Sequence, residues 1–318
     1  MAKVVIGIGS SHGPSVQKEP EEWAALGQKD TRDPRFNYAE LLASAPPGLE
    51  KEITIEVQRQ RHASARAALK EAERRLLEAR PDVVVVVSNG HIVRETEPRP
   101  VFSVMRAEEF LVVESIGRTF ENGSDDDLRG AAANGARMPG HPELANQLIE
   151  GMIKAQFDVG CVDRYPDGRP LDEAFSFCYQ WLMDNHPIPM VPFFLSRDLP
   201  NQPMPRRCID AGRALRKVIE DSPLDLRVAL IASGGLSHQV LDEKLDRQAV
   251  AGLVEGDFDA LENLSIPQMN RGPGTPEILN WLVVGGAMAP TKMTVLAYEP
   301  CYRSLASTGH GTTFGYWS

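Results

Sequence analysis

Short runs of Val, Ile and Phe recur along the chain, separated by stretches in which apolar residues return every three or four positions. Two periods alternating in this way predict an α/β fold, with strands in a largely parallel or mixed sheet and amphipathic helices between them. Strands are expected at 3–8, 82–88, 157–161, 188–195, 226–232 and 293–298, and helices at 55–79, 142–156, 206–220, 243–254 and 276–288. In the plainest helix, Ala65, Leu69, Ala72 and Leu76 fall at i, i+4, i+7 and i+11 and make one apolar stripe. Residues 17–52 and 92–135 carry no clear periodicity and are expected as long excursions or lid segments. Ser196 to Arg206, with three prolines, is expected to wrap the surface. The expected architecture is one catalytic domain over 1–318: a central mixed, largely parallel sheet flanked by helices, with its site at the carboxyl ends of the strands.

Composition narrows the function classes. A chain of 318 residues buries roughly three quarters of its unfolded surface, enough for a large core. Its 42% apolar and 25% charged residues are ordinary globular values. The longest aliphatic run, Val83 to Val87, is far short of the roughly 20 residues a membrane span needs. The opening Met1-Ala2-Lys3-Val4-Val5-Ile6 reads as a strand, not a secretory signal, and the four cysteines include no C-x-x-C pair. A cytoplasmic protein is the expectation. A formal charge of −10 without a long basic cluster argues against nucleic acid or an anionic membrane as partner, leaving a small molecule.

The seven histidines carry the most information. His12 follows the first strand through Gly9-Ser10-Ser11, His91 follows Val83–Val87 through Ser88-Asn89-Gly90, and His238 follows Val228–Ala232 through Ser233-Gly234-Gly235-Leu236-Ser237. In open α/β sheets the ligand crevice lies beyond the carboxyl ends of the strands, so three such imidazoles can converge on one site for metal ligation, acid–base work or both. With no cysteine ligand nearby, two histidines plus a carboxylate would make the open-sided set used by non-haem Fe(II) oxygenases. Two carboxylates compete for the third place. Glu277 follows Thr275, an expected N-cap, and Pro276, an expected first helical residue; Glu243 stands five residues past His238. Of the rest, His62 lies on the helical apolar stripe, His186 in a turn, His141 at a helix start, and His310 in a glycine-rich tail as a candidate pocket wall.

Taken as a set, Ser10-Ser11-His12-Gly13-Pro14, Asn89-Gly90-His91, Gly140-His141-Pro142-Glu143-Leu144-Ala145, Gly234-Gly235-Leu236-Ser237-His238 and Glu277-Ile278-Leu279-Asn280-Trp281 resemble the class III extradiol ring-cleavage dioxygenases, the family of the protocatechuate 4,5-dioxygenase β subunit. The resemblance implies metal ligation by His12, His91 and Glu277, a catalytic His238 and a substrate-pocket His141. It implies Fe(II), or Mn(II), as the ion, a small catecholic aromatic and O₂ as substrates, and a homodimer or larger homo-oligomer. Two positions depart from the pattern: Gly90 stands where an aspartate is usual, and Glu173 where many relatives have histidine.

The activity so implied is ring opening beside the diol, with His238 moving a phenolic proton and His141 and Glu173 holding the substrate's second polar substituent, a ring carboxylate being one candidate. Tyr302, Arg303 and His310 are further candidate substrate contacts, since an arginine suits a carboxylate. Two alternatives remain open at this point. Glu173, as a glutamate of raised pKa, would suit a non-oxidative, metal-dependent hydrolase or decarboxylase; an inactive binding homologue is the other.

Overall fold

The computed structural model describes residues 1–89, 100–112, 136–164 and 170–318. In chain order the strands are β1 (Lys3–Ser10), β2 (Val83–Ser88), β3 (Phe102–Met105), β4 (Glu109–Val112), β5 (Ala136–Pro139), β6 (Val159–Val162), β7 (Met190–Leu195), β8 (Arg227–Ser233), β9 (His238–Val240), β10 (Thr294–Tyr302) and β11 (Thr308–Trp317). Among the described residues one sheet runs β10-β11-β1-β8-β2-β7-β3-β6, with β9 added to β11, while β4 and β5 pair separately. Its centre, β1-β8-β2-β7, is parallel. The flanks are mixed, β11 lying antiparallel to β1 and β3 antiparallel to β7.

β2 shows why the centre is buried. Successive side chains of a strand point to opposite faces, so an unbroken Val run needs cover on both. Val83, Val85 and Val87 pack with Leu230, Leu148, Ile209, Leu245 and Leu282 on one face; Val84 and Val86 pack with Ile8, Ile231, Leu69, Ala72 and Leu76 on the other. Helices Pro142–Lys154, Pro205–Glu220, Glu243–Glu255 and Ile278–Met288 cover the first face and Ile55–Glu78 covers the second. The last of these begins at Thr54, whose hydroxyl accepts from the Val57 N–H, and its Ala65-Leu69-Ala72-Leu76 stripe is buried as its spacing requires.

All six expected strands and all five expected helices are present with shifted ends. Strands β3, β4, β5 and β9 lie outside the expected set, and the tail Phe314-Gly315-Tyr316-Trp317, which by sequence suits an interface or a final strand, is the end of β11. The C-terminal tail is a full strand inside the sheet, with Phe314 and Trp317 buried. The 17–52 excursion is packed in place: Trp23, in the helix Trp23–Asp30, is fully buried edge-on to His62, and Asp30 accepts both bonds of a bidentate Arg303 at 2.7 Å. Among the described residues no helix is long and apolar enough to cross a membrane.

Candidate functional site

The parallel strands end together. Ser10 of β1 is in register with Ser233 of β8, Val87 of β2 with Ala232 of β8, and Ser88 of β2 with Phe194 of β7. The chain therefore leaves all four strands at one edge, delivering His12 after β1, Arg197 after β7 and the Gly234–His238 loop after β8. Asn89, next to Ser88, donates to the Leu195 carbonyl at 3.1 Å, so β2 reaches the same edge. His91 and Gly90 lie outside the described residues.

Glu277 comes from a different element. It ends a 3₁₀ turn, Thr275–Glu277, that leads into the fully buried helix Ile278–Met288. Thr275 does not cap this helix as expected. Its hydroxyl instead accepts from the His238 N–H at 3.2 Å, tying the turn to the histidine loop. Asn280 donates to Asn89 at 2.8 Å and to the Ser233 carbonyl at 2.9 Å, and the Trp281 indole donates to the Gly234 carbonyl at 2.9 Å. The helix start is thus fastened to the ends of β2 and β8.

These ties leave the Glu277 carboxylate, 1% exposed, at the centre. Its Oε2 stands 3.6 Å from His12 Nε2 and accepts from the Gly235 N–H at 3.2 Å. Its Oε1 stands 3.4 Å from His238 Nε2 and accepts from Arg197 Nη1 at 3.1 Å. The buried Arg197 guanidinium compensates the buried carboxylate, without which its desolvation would be prohibitive. Glu243, the competing acid, accepts from Tyr302 and pairs with Arg247.

Hydrogen-bond partners assign both imidazole tautomers. Ser233 Oγ gives its one proton to the Ala174 carbonyl at 2.5 Å, so at 3.0 Å from His12 Nδ1 it accepts. His238 Nδ1 faces the Leu236 carbonyl, which only accepts, at 3.1 Å. Both rings therefore carry hydrogen on Nδ1, and it is Nε2, at 3.6 and 3.4 Å, that faces the Glu277 carboxylate. Lone pairs and a carboxylate facing one another at these distances repel unless a proton or cation lies between them. An oxygen and imidazole nitrogens also form the donor set that suits Fe(II) or Mn(II), with the outer hydrogen bonds a ligating histidine needs. Among the described residues no three His, Cys, Asp or Glu side chains by themselves form such a group. His12 and Glu277 are two of the three expected donors; the third, His91, lies outside the described residues.

His310 joins this cluster. It is paired across β11 and β9 with His238, its ring stacks on that of His238 with centroids 5.5 Å apart, and its Nδ1 lies 2.8 Å from Ser15 Oγ. Burial pushes it well below the usual histidine range, with Arg303 and His238 adding to the effect, so it is neutral. Glu173, at the start of the helix Glu173–Phe177, receives a bond from Gln17 Nε2 at 2.6 Å, and the same amide donates to the His12 carbonyl at 2.5 Å. Burial, with the charges of Glu277 and Asp172, pushes Glu173 up to about 8 against the pull of Gln17, so at pH 7 it is a neutral acid.

The other expected site residues are elsewhere. His141 Nδ1 accepts from the Leu144 N–H at 3.2 Å as the cap of Pro142–Lys154, and adjoining Gly140 bridges to Met190, the amino end of β7. That is the end of the strand remote from Arg197. Arg303 is held by Asp30, and the Tyr302 hydroxyl donates to Glu243 at 3.0 Å. Arg197, Ser233, Gly235 and Asn280 were not anticipated. Arg197 stands two residues past β7 as His12 stands two past β1, so the strand-end rule that selected the histidines would have found it if applied to every polar residue.

The raised Glu173 gives a pH prediction. A carboxyl that is neutral in the fold but ionised once unfolded binds more protons when folded, so it contributes stability below about pH 4.5 and loses it as pH rises through about 8. Glu173→Gln is therefore expected to flatten the fall in melting temperature between pH 5 and pH 9 and to raise it at the alkaline end. Parallel curves for the two proteins in a thermal-shift series would contradict this.

The family described as the catalytic LigB subunit of aromatic ring-opening dioxygenase matches residues 50–307, a stretch that includes His91, His238 and Glu277 and begins after His12. A gallate dioxygenase of Pseudomonas putida is 29% identical over 162 residues, which are 47% of this chain and 46% of that enzyme, so the match spans about half of the relative's length. The crystal structure of an uncharacterized Escherichia coli K12 protein, JW3007, aligns with a TM-score of 0.48 at 17% identity, covering 79% of this chain and 92% of that one. With more than three quarters of its length matched, the chain belongs to the family of the catalytic LigB subunit of aromatic ring-opening dioxygenases.

Proposed function

We propose that this protein opens the ring of a catecholic aromatic beside the diol, using O₂ and a divalent ion, Fe(II) with Mn(II) as the alternative, held by His12, His91 and Glu277. The observation that carries the reading is the buried Glu277 carboxylate, faced by the Nε2 of His12 on one oxygen and the Nε2 of His238 on the other. When bound, the ion supplies Lewis acidity toward a phenolic oxygen and the electron chemistry that O₂ requires.

The remaining work falls to the chain. Ser233 fixes the His12 ring, and the Gly235 N–H and Arg197 fix the Glu277 carboxylate. Deep burial keeps bulk water from these groups. His238 accepts a phenolic proton at Nε2, the atom its Leu236 bond leaves as an acceptor, and later returns it. His310, neutral and stacked on His238, restricts that ring and forms a wall of the substrate space. Glu173, protonated at neutral pH, offers a hydroxyl for the ring's second polar substituent.

The test is anaerobic loading with Fe(II) followed by a panel of catechols, with and without a ring carboxylate, in an oxygen electrode. Oxygen uptake with a yellow ring-opened product is expected for at least one diol; no uptake with any would overturn the reading. His238→Ala is expected to lower turnover by about a hundredfold or more while bound metal stays constant. The neutral Glu173 favours one second reading, non-oxidative acid catalysis on the same site, and product formed equally well without oxygen would decide for it.

A further inference from the structure

Asp246 lies in the helix Glu243–Glu255, is fully buried and takes no part in the chemistry above. Both its oxygens are engaged. Oδ1 accepts from the Ser237 N–H at 2.7 Å, and Oδ2 accepts from the Ser237 hydroxyl at 2.7 Å and the Tyr298 hydroxyl at 3.0 Å. The Ser237 oxygen accepts in turn from the Asp242 N–H at 2.9 Å, leaving its own proton for Asp246. Gly311 closes the other side: it donates to the Ser237 carbonyl at 2.7 Å, and a Cβ there would lie 2.0 Å from Asp246 Oδ2. A buried acid and its whole surround are thus built onto the residue that precedes His238.

The Ser237 N–H belongs to the same planar peptide as the Leu236 carbonyl, and that carbonyl accepts from His238 Nδ1 at 3.1 Å. Burial pushes the Asp246 acid up to about 7 against the pull of the Ser237 and Tyr298 bonds, so in its ionised form one amide has a carboxylate on its N–H and an imidazole on its C=O. Hydrogen bonds in a chain polarise one another: negative charge at the N–H shifts electron density onto the carbonyl oxygen and strengthens it as an acceptor. An imidazole donating from Nδ1 to a stronger acceptor keeps its proton there, and its Nε2 becomes a better base.

We propose that Asp246 is a positioning residue for His238, holding the imidazole through the Leu236–Ser237 peptide in the Nδ1–H form with Nε2 turned to Glu277, as a carboxylate does by direct contact in an acid–histidine pair. The inference rests on the reading of His238 as the proton-transfer group.

The test combines ¹⁵N NMR of the His238 ring in metal-free protein with steady-state kinetics of the loaded enzyme. Wild-type His238 is expected as Nδ1–H; an Nε2–H ring would overturn the proposal without any variant. Asp246→Asn preserves size and an acceptor for the Ser237 N–H but removes the charge. It is expected to populate the second tautomer and to lower kcat about tenfold, with KM within about twofold and metal stoichiometry unchanged. Tyr298→Phe, which leaves the charge in place, is expected to keep the tautomer. An Asp246→Asn protein with the wild-type tautomer and kcat, or with activity lost only in proportion to folded protein, would contradict the assignment. Wild-type enzyme that opens no diol would count against the proposed function instead, and the NMR result would still decide the tautomer.

Discussion

Glu277→Gln is expected to weaken binding of the divalent ion, and with it ring-opening turnover, by on the order of a hundredfold or more, since even residues behind a metal ligand are worth 10- to 100-fold. The substitution changes almost no volume. A glutamine oxygen can still accept from the Gly235 N–H that now bonds Oε2 at 3.2 Å. What disappears is the negative charge, which does two things here: it faces the Nε2 lone pairs of His12 and His238, and it compensates a guanidinium that is only 8% exposed. Removing one member of a buried ion pair costs about 3 kcal/mol or more, so a lower melting temperature should accompany the loss of metal. Metal content after gel filtration, read beside a thermal melt, checks both effects. Retention of the ion at wild-type affinity would remove Glu277 from the ligand set.

Gly234→Ala should be nearly as damaging, for a backbone reason. Gly234 has φ of +145°, a conformation that residues with a Cβ rarely adopt. An added Cβ would also lie 2.7 Å from Glu277 Oε2 and 3.1 Å from Asn280 Nδ2. Strain and collision together are expected to cost about 2–4 kcal/mol, and the carboxylate must move to relieve them, so turnover should fall further than stability alone explains. Gly48→Ala is the control. Gly48 also has a positive φ, +94°, but nothing lies within 4 Å of a Cβ there. It should cost about 1 kcal/mol and leave activity unchanged. Equal activity losses in the two variants would show that collision with Glu277 is not the cause.

Much of this arrangement was legible in the sequence because it depends on strand ends. A parallel strand points its carboxyl end at the crevice, so His12 and His238 could be placed there from an apolar run and a glycine turn alone. Glu277 could not be chosen over Glu243 by spacing. The family resemblance supplied that choice; its physical basis is the 3₁₀ turn and the Asn280 and Trp281 bonds that fasten it to β2 and β8, contacts made across nearly fifty residues or more. Arg197 was less legible because a guanidinium neither ligates a metal nor transfers protons, so its place two residues past β7 gains meaning only from the buried Glu277 it pairs with. Arg303 and Tyr302, candidate substrate contacts by sequence, are held instead by Asp30 and Glu243. Of strand β11 only the end, Phe314 to Trp317, is legible as a possible final strand; Thr308-Gly309-His310-Gly311-Thr312 has the composition of a turn, and pairing to β10 makes it strand. His141 shows the limit of motif reading: its side chain is used as a helix cap, at the far end of β7 from the cluster.

The central claim, that His12 and Glu277 share one divalent ion with His91, is tested most directly by anomalous diffraction from crystals of the wild-type protein loaded with Mn(II). The account predicts a single strong manganese peak within bonding distance of His12 Nε2 and a Glu277 oxygen, with the His91 ring completing the set. A peak elsewhere, or a fully loaded protein in which His12 and Glu277 do not touch the metal, would contradict it.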